Sequence, residues 1–216
     1  MSIPASCPRC GGELRAPGLM SSDWRCERHG VVLPLRLPGH ADTDVLKMLR
    51  GVAKVPMWVP WPLPAGWTIT GFGWVGDERS GGRATAVACT GPAPFGGAAD
   101  IVLVAEELGI GLGAHYAGVV GTDPGPALAE AARTTSAHAK LKVGGHPTPL
   151  WSVNSADDRC AYVGEAGGLW LWAVLWPAEA GYLLAADDVE LVDGRERLPG
   201  ELVYGAPSPY LAKPSK

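Results

Sequence analysis

AYVGEAGGLWLWAVLW, residues 161–176, decides how this chain folds. Gly167-Gly168 sits between two runs of strand-forming residues. Paired glycines supply the positive φ angles that a two-residue hairpin turn requires at both central positions. On the second arm, Trp170, Trp172 and Trp176 share one face with Val174, while Leu169, Leu171, Ala173 and Leu175 occupy the other. A strand apolar on both faces is either central and covered on both sides, or leaves one face open for a ligand or partner. The covered reading is favoured here. The residue 42–54 helix, the proline-rich strap after it and the N-terminal module are the candidate covers. On the open reading, Trp170, Trp172 and Trp176, together with Arg79 and Arg83, form the candidate ligand or partner surface. The apolar run is less than half of the roughly 20 residues a membrane-spanning helix needs.

Outward from this hairpin the strand pattern repeats. WTITGFGWV (67–75), RATAVAC (83–89), DIVLVAEEL (100–108) and PTPLWSV (147–153) read as further strands. One segment is helical in period: Val45, Met48, Leu49 and Val52 recur on one face, Asp42 or Thr43 can cap the start, and Pro56 ends it. PMWVPWPLPAGW (56–67) reads as an extended, semi-rigid strap whose tryptophans cover the core. A proline-rich ligand for a partner's groove is its minority reading. Residues 123–140 read as a linker with at most two helical turns. The fold class expected is α+β: a small N-terminal zinc ribbon (residues 1–36) followed by a mainly antiparallel sheet domain (37–216) with one or two short helices.

The N-terminal segment carries the strongest chemical signal. CPRCGGELRAPGLMSSDWRCERHG spaces Cys7, Cys10, Cys26 and His29 as Cys-x2-Cys-x15-Cys-x2-His. A two-residue gap lets one tight turn aim two ligands at one ion, and Gly11 and Gly30 supply the left-handed residue closing each turn. Such turns also direct backbone N–H groups at the ligand sulfurs. Three thiolates and an imidazole make a closed tetrahedral structural zinc site, with no position open to substrate. One structural zinc per chain is expected, supplying most of the folding energy of a module too short for much core.

Composition narrows the function classes. The 216 residues are 47% hydrophobic and 19% charged, with a formal net charge of −4, as in a globular protein with a real core. Arg9, Arg15, Arg25, Arg28 and Arg36 outnumber the acids of residues 1–40 only slightly, too little to hold nucleic acid by counterion release. Five cysteines, three of them in the metal motif, argue against a disulfide framework; with no signal-peptide pattern, a cytoplasmic location is expected.

Catalytic signatures are few. GIGLGA (109–114) formally matches a dinucleotide fingerprint, but the broken sequence after it reads as a glycine turn. Cys89 and Cys160 have no histidine at a telling spacing and read as buried strand residues. GDERSGGR (76–83) places Arg79 and Arg83 on a loop able to hold an anion. Glu106-Glu107 and Asp187-Asp188 are adjacent pairs that on a strand point to opposite faces.

Several stretches resemble a family of uncharacterised actinobacterial proteins with an N-terminal zinc ribbon: CPRCGGELRAPGL, PWPLPAGW, DERSGGRATAVACTGPAPFGG, AEELGIGLGAHYAG, GHPTPLW and GLWLWAVLWPAEAG. They run from residue 7 to about 181, and Cys7, Cys10, Cys26 and His29 correspond to that family's ribbon pattern. The resemblance implies no activity. Some relatives carry an automatic phosphotransacetylase label, and no coenzyme A or acetyl-phosphate site is legible in these residues. The expected function is therefore non-enzymatic: a zinc-binding protein-interaction or scaffold module meeting another protein or itself, with no membrane. The alternative is an enzyme or small anionic-ligand binder using the 76–83 loop and the 109–113 glycine turn.

Overall fold

The computed structural model describes residues 3–19, 21–93, 96–185, 190–196 and 202–212. In chain order the first half contains β1 (Ala5–Ser6), β2 (Arg25–Cys26), β3 (Gly30–Val31), β4 (Leu35–Arg36), α1 (Thr43–Val52), β5 (Trp58–Trp61), β6 (Thr68–Asp77), β7 (Gly81–Pro92) and β8 (Ala98–Glu106). Then come α2 (Leu112–Ala117), α3 (Pro126–Thr134), β9 (Ala139–Val143), β10 (His146–Val153), β11 (Cys160–Ala166), β12 (Leu169–Trp176), a 3-10 helix (Ala178–Ala185), β13 (Glu190–Asp193) and α4 (Pro209–Ala212). The fold is mostly antiparallel sheet with a few short helices, the α+β class expected.

Gly167 and Gly168 take φ of 65° and 81°. They close the β11–β12 hairpin in the expected register, with Ala166 opposite Leu169. This hairpin is central. Eleven strands run in the order β1-β4-β6-β7-β8-β12-β11-β10-β9-β13-β5, all antiparallel except where β13 meets β9. β10 changes partners along its length: Trp151–Val153 pair with β11, and His146–Leu150 pair with β9. The sheet curls at this exchange, and β5 returns over β7 and β8.

Curling gives the sheet two apolar faces and two cores. Ile69, Phe72, Val87, Leu103, Leu171 and Ala173 fill the inner one. Trp58 and Trp67 are buried against it, so the proline strap does cover core. The outer core holds Ala86, Val104, Trp172, Val174 and Trp176. Both faces of β12 are thus buried, with Trp172 wholly inaccessible. Neither Trp172 nor Trp176 is available as a partner surface within this fold. Trp170 is half-buried and its ring N–H donates to Asp123 Oδ1 at 3.1 Å.

The cover over the Trp face is none of the three expected elements. It is α2, which packs on β8 and β12, with α4 contributing Tyr210, whose ring stacks on Trp176 at 4.6 Å. The sequence reading leaves 109–121 without a helix because Gly118 and Gly121 interrupt it. Six residues suffice for α2, and Gly118, at φ 73°, ends it rather than breaking it. Two further differences are local. The expected 123–140 linker contains α3, a nine-residue helix, and the start of β9. In α1, Asp42 caps as expected, accepting from Asp44 and Val45 N–H. Its buried residues are Leu46 and Leu49, with Val45 and Val52 partly buried against the same core and Met48 exposed.

Candidate metal centre

Four potential ligands from two turns converge at the N-terminal end of the chain. The first turn is closed by Gly11 (φ 67°), whose N–H donates to the Cys7 carbonyl at 2.8 Å; the second by Gly30, also at φ 67°. β2 and β3 pair around the second turn, and bridges from Ser6 to Glu13 and from Arg15 to Arg25 complete the hairpin.

The ligand atoms of Cys7, Cys10, Cys26 and His29 all lie within 4.8 Å of one another. Cys7 Sγ is 3.4 Å from His29 Nδ1, Cys26 Sγ is 3.6 Å from the same nitrogen, and Cys10 and Cys26 Sγ are 3.8 Å apart. These separations match the edges of a tetrahedron that one ion could occupy. Metal bonds of about 2.3 Å to sulfur and 2.0–2.1 Å to imidazole require edges of about 3.8 Å (S···S) and 3.5 Å (S···N). A disulfide is excluded at 3.8 Å. The donor set fits a metal held by protein alone, with Nδ1 the histidine ligand atom.

The local electrostatics divide the thiols. Burial pushes Cys7 up to about 12, against one backbone N–H from Arg9. Cys26 is also raised by what burial it has, but N–H groups of Arg28 and His29 outweigh this and hold its thiol below the usual range. The second turn therefore provides the thiolate-supporting N–H groups that its glycine geometry predicts.

The hairpin is fastened to the sheet at several points. β1 and β4 form its outer edge, Leu35 standing opposite Val75 of β6, so the sheet runs across the expected boundary after residue 36. Arg9, inside the first ligand turn, donates to the Gly109 carbonyl at 2.7 Å and the Ile110 carbonyl at 3.2 Å. Arg79 donates to the Ser22 carbonyl at 2.8 Å and lies 3.6 Å from Asp23. Arg36 stacks over Trp24 at 5.2 Å.

The 76–83 loop and the 109–113 turn therefore do meet, as the anion-binding alternative requires. They face a cavity of about 270 Å³ beneath the hairpin, lined by Arg9, Asp77, Arg79, Arg83 and Gly109 among others. Each arginine is engaged, however: Arg79 with Asp23 and Asp77, Arg83 with Glu107, Arg9 with two carbonyls.

The glycine turn has a structural task. Gly109 and Gly111 take positive φ (81° and 87°), and Glu106, fully buried, accepts from Leu112 N–H (2.7 Å) and Gly113 N–H (3.2 Å) at the start of α2. Burial pushes the Glu106 carboxyl up to about 7 against those N–H donors. The Trp172 ring N–H lies beside this carboxyl without completing a hydrogen bond. Glu107 points the opposite way, to Arg83. Asp187 and Asp188 lie outside the described residues.

Among the described residues, neither Cys89 nor Cys160 has a histidine as a hydrogen-bond partner. Burial raises both remaining thiols, Cys160 to about 11 and Cys89 further. His138 is engaged with Ser152, and His115 is buried on α2 with its pKa lowered to about 4, first by burial and then by Arg159 and His29. Arg9 and Glu106 hold the site's surroundings together through partners about a hundred and about seven residues away, and only the fold reveals the former.

A family described as a family of unknown function (DUF6758) matches residues 1–211. The chain belongs to DUF6758. The family's function is itself unknown. No curated protein and no solved structure matches this DUF6758 chain. Among the described residues, none forms a helix long and apolar enough to cross a membrane.

Proposed function

We propose that this chain is a non-enzymatic protein-interaction module whose N-terminal hairpin is a zinc ribbon. Cys7, Cys10, Cys26 and His29 hold one structural zinc, and the ribbon presents its outer end to a partner protein. The observation that carries this reading is the asymmetry of the hairpin. Its ligand-bearing end is pinned to the sheet by β1, β4 and Arg9, and Arg79 holds Ser22, while Leu19, at the tip beyond that contact, is fully exposed. Four side-chain ligands leave no position for substrate, so zinc acts here as a staple. Among the described residues, the ribbon's own core is Cys7, Cys26 and Val32, with Cys10 and Leu14 against it, and needs that staple.

Protein suits this surface better than nucleic acid. Arg9 is turned inward, and Arg15, Arg25 and Arg28 are offset by Glu13 and Glu27. A reducing cytoplasm suits the free thiols of Cys7, Cys10, Cys26, Cys89 and Cys160. Removing residues 1–36 would strip β1 and β4 from the sheet, so point substitution is the cleaner test. Affinity capture from the host cytoplasm with the native chain and with Leu19→Asp should yield a protein retained by the first and lost by the second. A protein retained equally by both, or none by either, contradicts the ribbon as the binding end.

A further inference from the structure

Across the sheet from the metal centre, the inner core is incompletely filled. A cavity of about 350 Å³ lies between the proline strap and the middle of the sheet. Ile101 and Leu103 of β8 form its floor, and Leu141 and Leu191, from β9 and β13, form a wall. Trp67 and Leu183 flank it, and the exposed Pro62 stands at its mouth.

The sequence accounts for this space. Trp67 lies flat against β7 where Gly91 has no side chain; a β-carbon there would fall 2.3 Å from the indole. The ring is thus drawn to one side and does not fill the centre. The strap cannot close over it as an ordinary strand, because Pro60 and Pro62 lack the N–H needed to pair inward. β5 pairs only with β13 and ends the sheet.

Protein interiors leave few voids larger than a water molecule. Water entering this one meets a single side-chain polar atom among the described lining residues, the Trp67 ring nitrogen. The size falls in the range of small-molecule sites. The geometry points to a binding site for one aliphatic chain, such as the acyl tail of a medium-chain fatty acid or alcohol. At about 30 Å³ per water-sized unit, the cavity takes roughly a dozen non-hydrogen atoms. No charged side chain among the described residues lines it, so the head group remains at the mouth in water and is not recognised.

Three signatures follow. Each methylene withdrawn from water favours binding by about fourfold, so hexanol should bind at least tenfold more weakly than decanol. The gain should stop once the chain exceeds about a dozen atoms. Decanoate has one methylene fewer than decanol to withdraw from water, so it should bind about fourfold more weakly and no more.

The test is displacement of the fluorescent probe N-phenyl-1-naphthylamine from the full chain by decanol, decanoate and a series of longer and shorter alcohols, below their micelle-forming concentrations. One saturable site per chain with a chain-length plateau is expected. Leu183→Glu, at the half-buried mouth, should weaken decanol at least tenfold. Leu103→Phe, on the floor, should shift the plateau to shorter chains, with thermal unfolding confirming that each variant is folded. Absence of saturable displacement, a gain without a plateau, or unchanged affinity in folded Leu183→Glu would overturn the site.

Discussion

A β-carbon added to Gly113 would lie 2.1 Å from the indole of Trp172. The first residues of α2 therefore rest directly on the ring at the centre of the sheet, and the glycine is what permits the contact. Side chains at this spacing are not accommodated without moving helix or ring. Gly113→Ala should cost about 2 kcal/mol, as overpacking of a filled core does. In chemical denaturation, the double variant with Trp172→Leu should lose less than the two single losses added together. Simple additivity would show that the helix and the ring do not constrain one another.

Arg9 joins the Cys7–Cys10 turn to the glycine turn that starts α2. Its two donations are to carbonyl oxygens about a hundred positions away. Hydrogen bonds from a charged donor contribute more than neutral ones, and Arg9→Met keeps the apolar stem while deleting them. A loss of about 2 kcal/mol is expected, with metal content unchanged. Arg9→Lys should restore little, because a point charge does not reproduce the fork. Full stability in Arg9→Met would mean that the N-terminal hairpin is held by its strands alone.

Glu106 should make stability fall as pH rises. Its folded carboxyl is raised from 4.5 to about 7 by burial. A raised acid holds its proton longer in the folded state, so its contribution is complete below the unfolded value and is lost as pH climbs through 7. Between about pH 4.5 and pH 8 the native chain should lose up to roughly 3 kcal/mol relative to Glu106→Gln. Denaturation of both at several pH values checks this; a difference that stays flat across the window contradicts it.

Much of this fold is legible in local pattern, and what is not depends on distant partners. The Gly167-Gly168 hairpin, the six long strand signals and the metal-ligand spacing rest on residues close in sequence, where turn chemistry and side-chain alternation act directly. The cover on Trp172 was hidden because α2 is short and glycine-bounded; Glu106 and Trp172 stabilise it, and helical propensity does not. β9 alternates cleanly but follows α3 without a strong turn signal, and its pairing with β10 and β13 is tertiary. The 76–83 loop and the 109–113 turn do come together, yet the acids that engage Arg79 and Arg83 include Asp23 of the N-terminal hairpin, a juxtaposition no spacing encodes.

The most direct test is the metal content of the purified native chain and of Cys26→Ser, measured by elemental mass spectrometry. One zinc per native chain is expected, with little or none in the variant and loss of ordered amide signals confined first to residues 5–33. A native chain without metal, or a variant that still carries one zinc, would contradict the assignment of Cys7, Cys10, Cys26 and His29 as the structural site.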